Sequence, residues 1–116
     1  MEFSIFQRLI VEVIERYCAK FNIPLNAAYA QLKLYEEVGE FSQALVVYQG
    51  LARPSKQSDP ETAKIALANE LADIIGMAIL NAHLYGIDLE EAFARKWFAQ
   101  LAGDVEGSES SPQDSG

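Results

Sequence analysis

Cysteine, histidine and basic residues are scarce in this sequence, whereas acidic residues are common. Its 116 residues include one cysteine, one histidine and 9 Lys+Arg against 17 Asp+Glu, which gives a formal charge of −8. Because the single cysteine, Cys18, cannot form an internal disulfide, the fold does not depend on an oxidising compartment. Because nucleic-acid-binding proteins present a basic face, the charge balance predicts that nucleic acid is not a partner.

Long apolar runs are also missing. The longest, residues 74–84, has 11 residues and contains Asn81 and His83. A helix that crosses a bilayer needs about 20 apolar residues, so no membrane segment is predicted. Charged residues such as Arg8 and Glu12 interrupt the first apolar stretch, where a secretory signal would be apolar throughout. The sequence therefore predicts a cytoplasmic protein without a membrane partner.

The excess of acidic residues is local. Residues 103–116 contain four acids, no base and one apolar side chain, Val105. Such a segment cannot bury enough surface to offset its ordering entropy, so it is predicted to be a disordered tail. Residues 1–102 then form one domain with a charge of −4. Five of its acids lie in two short clusters, which are Glu36, Glu37 and Glu40 and, further along, Glu70 and Asp73.

Strict alternation of apolar and polar residues is absent, so no half-buried strand is predicted. Apolar residues instead recur at spacings of three and four, which is the pattern of amphipathic helices. Four helices are predicted, each beginning at a residue type that caps helix N-termini. They begin at Ser4, Asn26, Asp59 and Asp88 and end near Phe21, Gly50, Tyr85 and Gly103. The predicted fold class is all-α, with four helices in one domain.

The third predicted helix changes character along its length. Residues 74–80 are apolar on every side, and a helix of that kind is buried on every side. A domain of about 100 residues has few places to bury such a segment, so we expect a subunit interface and a homo-oligomer. The alternative is the central helix of a monomer. Gly39 and Gly76, which lie inside or just after the acidic clusters, predict that another helix or a ligand approaches the backbone there.

The two acidic clusters are the strongest indication of a site. Glu37 and Glu40 lie three residues apart, as do Glu70 and Asp73, so each pair shares a helix face. Their sequence neighbours are apolar, and a cation between the helices would remove the repulsion between like charges on such a background. Hard ions such as Mg²⁺ and Mn²⁺ prefer oxygen ligands, which suits clusters without Cys or His. The alternatives are a solvated acidic face and a di-iron centre, although the latter needs Glu-x-x-His pairs that the sequence lacks.

Two motifs carry a resemblance to a known family. Residues 33–40 read K-L-Y-E-E-V-G-E and residues 69–75 read N-E-L-A-D-I-I, which gives E-E-x-x-E and then E-x-x-D. After them, Y-G-I-D-L-E-E-A at residues 85–92 is followed by Lys96. The combination resembles the MazG-like all-α nucleoside triphosphate pyrophosphohydrolases, which are related to dCTP/dUTP pyrophosphatases and phosphoribosyl-ATP pyrophosphatase. The resemblance implies a four-helix MazG-like bundle that oligomerises through its helices, as a homodimer or as a tetramer built from two dimers.

The resemblance also implies a reaction and a set of site residues. The expected reaction is Mg²⁺-dependent hydrolysis of nucleoside triphosphates, dNTPs above all, between the α and β phosphates. Its products are a nucleoside monophosphate and pyrophosphate, its role is the removal of unwanted nucleotides, and Mn²⁺ is the expected substitute metal. The implied metal ligands are Glu37, Glu40, Glu70 and Asp73, and the candidates for activating water are Glu36 and Glu37. Candidate substrate-binding residues are Lys33, Arg53, Lys96 and Trp97.

A second class of function stays open beside this one. Many members of the family carry Asn and Arg after the lysine of the fourth helix, whereas this chain has Trp97, Phe98, Ala99 and Gln100. The departure favours a non-catalytic module that keeps the fold and binds nucleotide or a protein partner without turnover. In a purely structural bundle, replacing Glu37 or Asp73 by Ala would leave stability unchanged or raise it, and Mg²⁺ would have no effect.

Overall fold

The computed structural model describes residues 1–105, with side chains to residue 102, and every regular element in that range is helical. Three long helices come first, and we refer to them together as the body: α1 (Phe3–Lys20), α2 (Ala27–Tyr48) and α3 (Pro60–Leu84). A 3₁₀ turn, Pro54–Lys56, interrupts the loop between α2 and α3. A helical arm, residues 89–105, follows as α4 (Leu89–Phe93), a π-helical turn (Ala94–Phe98) and α5 (Ala99–Val105). The all-α class is confirmed for the described residues.

Side-chain caps begin three of the four helical segments, as predicted. Asn26 accepts a hydrogen bond from the backbone N–H of Tyr29 at 2.9 Å. Asp59 accepts one from Thr62 at 3.1 Å, and Asp88 accepts one from Glu91 at 3.0 Å. Each bond satisfies a backbone donor that has no partner inside its own helix.

The predicted cap at Ser4 is wrong, because α1 begins at Phe3 and its cap position lies two residues before Ser4. Glu2 takes the cap position, and its backbone carbonyl accepts from the N–H of Phe6 at 3.0 Å. Its side chain makes no capping hydrogen bond. Ser4 is therefore the second residue of the helix, inside its first turn, and does not occupy the cap position.

The ends of α2 and α3 follow the glycines in the sequence. Gly50 has φ +74° and Gly86 has φ +65°, the left-handed conformation that commonly closes a helix. The last helix was predicted to end near Gly103, and α5 is helical to Val105, two residues further. A glycine inside a helix costs about 1 kcal/mol but does not by itself end it. Of the tail predicted at residues 103–116, residues 106–116 lie outside the described residues.

The core lies where α1 and the start of α2 meet the second half of α3. Its buried residues are Ile14, Cys18, Ala30 and Leu80, of which Ala30 and Leu80 are fully buried. The side-chain amide of Asn81 donates to the backbone carbonyl of Ala30 at 3.0 Å and to that of Met77 at 2.8 Å. This region therefore combines apolar burial with satisfied polar groups and fixes α2 against α3.

Within one chain, the apolar segment at residues 74–80 is buried on one side. Gly76, Ile79 and Leu80 are buried, whereas Ile75 is 55% exposed. At Gly76, α1 lies at ordinary contact distance, since a Cβ at this position would lie 3.9 Å from Cγ2 of Ile10. At Gly39, a Cβ would have no neighbour within 4 Å in one chain, so no helix of the same chain approaches it.

By length and composition α3 could cross a membrane, with a mean hydropathy of 1.4 over 18 residues. The prediction that no segment is long and apolar enough is therefore wrong on those two criteria. The finding is weak evidence for a membrane, since the core helix of a soluble protein meets the same criteria. Glu70 and Asp73 lie inside this helix, and each would cost about 3 kcal/mol at the centre of a bilayer. Packing against α2 accounts for the apolar character of one side of α3, while residues such as Ile75 stay exposed within one chain.

Candidate metal centre

The packing of α2 against α3 brings the two acidic clusters together. One carboxylate oxygen from each of Glu37, Glu70 and Asp73 lies within 4.8 Å of the other two. A second group with the same spread of distances is formed by Glu36, Glu37 and Glu40. Glu37 belongs to both groups, so all five residues form one site, which we refer to as the carboxylate cluster.

The spacing in the sequence explains this arrangement. Residues three apart in a helix are neighbours on one face, so Glu37 and Glu40 point from adjacent turns of α2. Glu70 and Asp73 do the same on α3. Because these two helices make the most extensive packing contact among the described elements, the two pairs face one another across it. The prediction that both pairs share one place is therefore confirmed by the geometry.

Two carboxylate oxygens in the cluster are buried without a hydrogen-bond partner. They are Oε2 of Glu37 and Oε2 of Glu70. Glu37 is only 6% exposed, which is rare for a glutamate. Buried polar groups are almost always paired, and an unpaired charge costs far more than an unpaired neutral group. The two orphaned acceptors therefore mark a place where a cationic partner would fit.

The electrostatics of the cluster agree with that reading. Burial raises the pKa of Glu37 to about 7, and the charges of Glu40 and Asp73 add to the effect. Burial also raises the pKa of Glu70, again with help from Glu40 and Asp73. In the absence of a cation, the cluster therefore retains a proton up to neutral pH. A divalent cation among these oxygens would displace that proton.

Lys33 lies at the cluster, one turn before its first acids. Its ammonium forms an ion pair with Glu36 and lies 3.8 Å from Oε1 of Glu37. The hydrogen bond to Glu36 raises the pKa of Lys33 despite partial burial of the side chain. Lys33 thus neutralises the Glu36 end of the cluster and leaves the orphaned oxygens of Glu37 and Glu70 unpaired.

The donor set suits a hard divalent cation. All of the cluster's side chains are carboxylates, and the chain's single histidine and single cysteine lie elsewhere. Mg²⁺ and Mn²⁺ prefer such oxygen donors and retain some of their water, whereas Zn²⁺ and iron sites usually include Cys or His. The residues present therefore fit the ions predicted from the sequence.

A cleft of about 400 Å³ opens beside the cluster. Glu37, Lys33 and Asp73 form its polar side. Its apolar wall comes from all three helices of the body and is made of Ile10, Val13, Ile14, Tyr17, Tyr29, Ala72, Gly76 and Met77. The site therefore combines a highly charged end with an apolar, partly aromatic pocket, which suits a ligand with both characters.

Two tyrosines of this cleft, Tyr17 and Tyr29, were not predicted as site residues. The sequence indicated Tyr17 only as an apolar position of the first helix and did not single out Tyr29. The signal that places Tyr17 is its spacing from Ile10 and Val13, which puts all three on the side of α1 that crosses α3 at Gly76. Tyr29 stands one turn before Lys33 on α2, so it extends the line of site residues on that helix.

Three predicted substrate-binding residues do not join the site within one chain. Among the described residues, neither the cluster nor its cleft includes Arg53, Lys96 or Trp97. Arg53 lies exposed in the loop before the 3₁₀ turn. Lys96 and Trp97 lie on the arm, which meets the body through the ring of Phe93, 6.3 Å from that of Phe3. The aromatic contact of the arm with the body thus lies at the start of α1.

Comparison with known proteins finds a curated relative whose name states no activity. Over 60 residues the chain is 38% identical to an uncharacterized protein, YvdC, of Bacillus subtilis (strain 168). The match covers 50% of this chain and 57% of the relative. No family model matches the chain, and no solved structure matches it.

Proposed function

We propose that this protein is a Mg²⁺-dependent nucleoside triphosphate pyrophosphohydrolase of the MazG-like kind. The observation that carries the proposal is the pair of orphaned, buried oxygens on Glu37 and Glu70 inside a cluster of five carboxylates. An acidic site of this kind cannot bind a polyanion directly, because like charges repel. It becomes a phosphate site when divalent cations are held between its carboxylates and the phosphate oxygens.

Four residues would hold the metal, namely Glu37, Glu40, Glu70 and Asp73. When bound, Mg²⁺ supplies charge neutralisation and orients the phosphates for in-line attack. The chain's own contribution begins with burial, since the low exposure of Glu37 keeps water away from one side of the carboxylates. The α2–α3 packing supplies the second contribution, because it holds the four side chains on rigid helices rather than on loops.

Glu36 is the better candidate for activating water. Its side chain is 52% exposed and held by Lys33, whereas Glu37 is buried with an unpaired oxygen beside Glu70 and Asp73. In the proposed reaction, Glu36 accepts a proton from a water molecule whose oxygen bonds to the α phosphorus. The bond between that phosphorus and the α–β bridging oxygen breaks, and pyrophosphate leaves. Glu37 then serves only as a metal ligand.

The apolar cleft supports a nucleoside as the other half of the substrate. Tyr17 and Tyr29 stand in its wall, and Asp73 and Glu37 stand at its charged side. An aromatic and aliphatic wall would bury a base while the phosphates extend toward the cluster. Nucleoside triphosphates, dNTPs among them, combine these two parts. The proposed role is the removal of unwanted nucleotides in the cytoplasm, by a homo-oligomer.

One observation favours a second candidate, a module that binds nucleotide or a protein partner without turnover. Lys33 is engaged with Glu36 and Glu37, and within one chain the cluster and its cleft include no other basic residue among those described. A triphosphate carries about four negative charges, and phosphate sites usually add Lys or Arg to the metal. A protein whose site lacks these additional basic residues would bind a nucleotide without hydrolysing it.

The deciding experiment is pyrophosphate release from a panel of dNTPs and NTPs with Mg²⁺, with Mn²⁺ and with chelator. The matched variants are Glu40→Ala, in the cluster, and Glu61→Ala, an exposed acid in the first turn of α3. Metal-dependent release that is lost in Glu40→Ala and kept in Glu61→Ala is the expected result. Stabilisation by Mg²⁺ without release would select the binding module. Neither release nor any effect of Mg²⁺ would leave a structural helical bundle without a metal site.

A further inference from the structure

A small cavity lies where the arm meets the start of α1. It has a volume of about 340 Å³ and is lined by Phe3, Phe93, Phe98 and Glu90. None of these residues belongs to the carboxylate cluster or lines the cleft beside it. Because three of the four lining side chains are aromatic, we refer to this place as the aromatic cavity.

The rings of the aromatic cavity have two orientations. The ring of Phe93 lies 6.3 Å from that of Phe3, and the two planes are nearly perpendicular, at 85°. The ring of Phe98 also lies 6.3 Å from that of Phe93, but these two planes differ by only 24°. Aromatic planes at right angles therefore border one cavity, which neither the body nor the arm forms alone.

The π-helical turn at Ala94–Phe98 explains why Phe98 reaches this cavity. In an α-helix each residue turns the chain by about 100°, so residues five apart point in directions that differ by about 140°. A π-helical turn is wider, since its hydrogen bonds join residues five apart, and it brings such residues closer to one side. Phe93 and Phe98 are five apart. Turns of this kind are rare and occur frequently at functional sites.

The polar side chain of the aromatic cavity is a carboxylate. Glu90 lies exposed in the first turn of α4 and has no ion-pair partner among the described residues. Its neighbour Glu91, by contrast, is paired with Arg95 at 3.2 Å. The lining of the cavity includes no lysine or arginine. The cavity thus combines a negative charge with three aromatic rings, and no cation from its own lining compensates that charge.

This combination suits a cation whose charge is spread over an apolar surface. The face of an aromatic ring attracts a cation within about 6 Å of its centroid. A primary ammonium would lose strong hydration in the cavity and needs acceptors for three N–H donors. A quaternary ammonium has no N–H donor, and its methyl groups pack against rings as other apolar groups do. Aromatic cages that recognise quaternary ammonium ligands are built in the same way.

We propose that the aromatic cavity binds a small quaternary ammonium compound, with its methylated ammonium group against the three rings and its charge balanced by Glu90. The site is separate from the proposed hydrolase function, because the cavity and the carboxylate cluster share no residue. Since Phe3 belongs to the body and Phe93 and Phe98 belong to the arm, the bound cation would also hold the arm against α1.

Choline and its neutral analogue, in which carbon replaces the nitrogen, test the proposal on the full chain. The two molecules have the same shape and differ in charge. Titration is followed by calorimetry and by the NMR signal of the methyl protons, which ring currents shift upfield over an aromatic face. Saturable binding of choline is expected, with an affinity about tenfold higher than that of the analogue. No saturable binding at millimolar choline, or equal affinity for the two molecules, would overturn the proposal.

Variants of the ring and of the acid locate the cation. Phe93→Leu keeps an apolar side chain but removes a ring, so it should weaken choline binding by about fivefold or more. Phe98→Leu, at a position 59% exposed, repeats the test where the first change perturbs the fold, and Phe98→Tyr should keep the affinity. Glu90→Gln should reduce the affinity for choline toward that for the neutral analogue. Thermal unfolding checks that each variant is folded.

Two further acids serve as controls for charge. Glu61→Gln changes an exposed acid in the first turn of α3, and Glu40→Ala changes the carboxylate cluster. Both should leave the affinity for choline unchanged. Loss of choline binding in Glu40→Ala would assign the cation to the carboxylate cluster and overturn the proposal, as would unchanged binding in both Phe93→Leu and Glu90→Gln. Choline binding by a protein that releases no pyrophosphate would overturn the proposed reaction and leave the aromatic cavity established.

Discussion

The α2–α3 interface has two regions that differ in how they treat polar groups. Near Ala30 and Leu80, apolar side chains are fully buried, and the amide of Asn81 donates two hydrogen bonds across and along the helices. Near Glu37 and Glu70, the same pair of helices buries two carboxylate oxygens without partners. The same pair of helices thus contains one region where the polar side chain is hydrogen-bonded and another where two carboxylate oxygens are not.

The difference shows how apolar burial and buried charge are divided within this fold. The region around Leu80 supplies the free energy that holds α2 against α3, through apolar burial and paired polar groups. The region around Glu37 uses some of that free energy to keep like charges close together, which no isolated pair of helices would do. An acidic site of this kind needs a well-packed neighbour, and the core next to it provides one.

The largest effect should come from the core region. Leu80→Ala removes a fully buried side chain and should lower the free energy of unfolding by about 2–5 kcal/mol. Urea unfolding measures the change, and Ile65→Ala on the exposed side of α3 is the matched control. A change as small as that of the control would mean that the core lies elsewhere.

The opposite sign is expected at the carboxylate cluster. Glu37→Gln removes a buried charge that its neighbours repel, so it should raise the stability of the metal-free protein at pH 8 by on the order of 3 kcal/mol. The same change should abolish stabilisation by Mg²⁺. Melting temperatures with Mg²⁺ and with chelator measure both effects. Glu36→Gln, at a half-exposed position, should change the metal-free stability little. A destabilised Glu37→Gln would contradict the account of the cluster.

The pH dependence of stability should separate the two regions further. In the unfolded chain Glu37 ionises near 4.5, whereas in the folded metal-free chain its pKa is about 7. Between these values the folded state binds more protons than the unfolded state, so the free energy of unfolding falls as the pH rises from about 5 to about 7. The raised pKa of Glu70 acts in the same direction.

Urea unfolding in chelator at several pH values measures this slope. Glu37→Gln should flatten it, and Leu80→Ala should leave it unchanged while lowering stability at every pH. Rising stability over the same range in the metal-free wild type would show that a partner already compensates the cluster.

The smallest effect is expected at Gly39, inside the acidic region. A Cβ here has no neighbour within 4 Å, so Gly39→Ala should raise stability by about 0.5–1 kcal/mol through helix propensity alone. Thermal unfolding checks the change at low and high protein concentration. A loss of stability that grows with concentration would reveal a second chain packed against this glycine.

Local rules predicted most of the fold and the core of the site. Asn26, Asp59 and Asp88 cap helices because a short polar side chain can reach a backbone donor three residues ahead, whatever the rest of the chain does. The same locality predicts that Glu37 and Glu40 share a face. Packing of α2 against α3 is then enough to bring Glu37 next to Glu70 and Asp73.

The features that sequence missed depend on long-range geometry. Tyr17 lines the cleft because α1 crosses α3 at Gly76, and no spacing within α1 specifies that crossing. Lys96 was grouped with the site by its position after a motif, yet the short connection after α3 directs the arm toward Phe3. The miss at Ser4 is local instead, because α1 already begins at Phe3.

Cys18 gives this protein a built-in chemical reporter of its core. It is the only thiol in the chain, it is 3% exposed, and it packs with Ile14, Ala30 and Leu80. A thiol reagent can therefore modify the protein only when that cluster opens, so the labelling rate follows the opening equilibrium. Comparing labelling with and without Mg²⁺ would show, in one unmodified protein, how strongly occupation of the acidic region holds the apolar region closed.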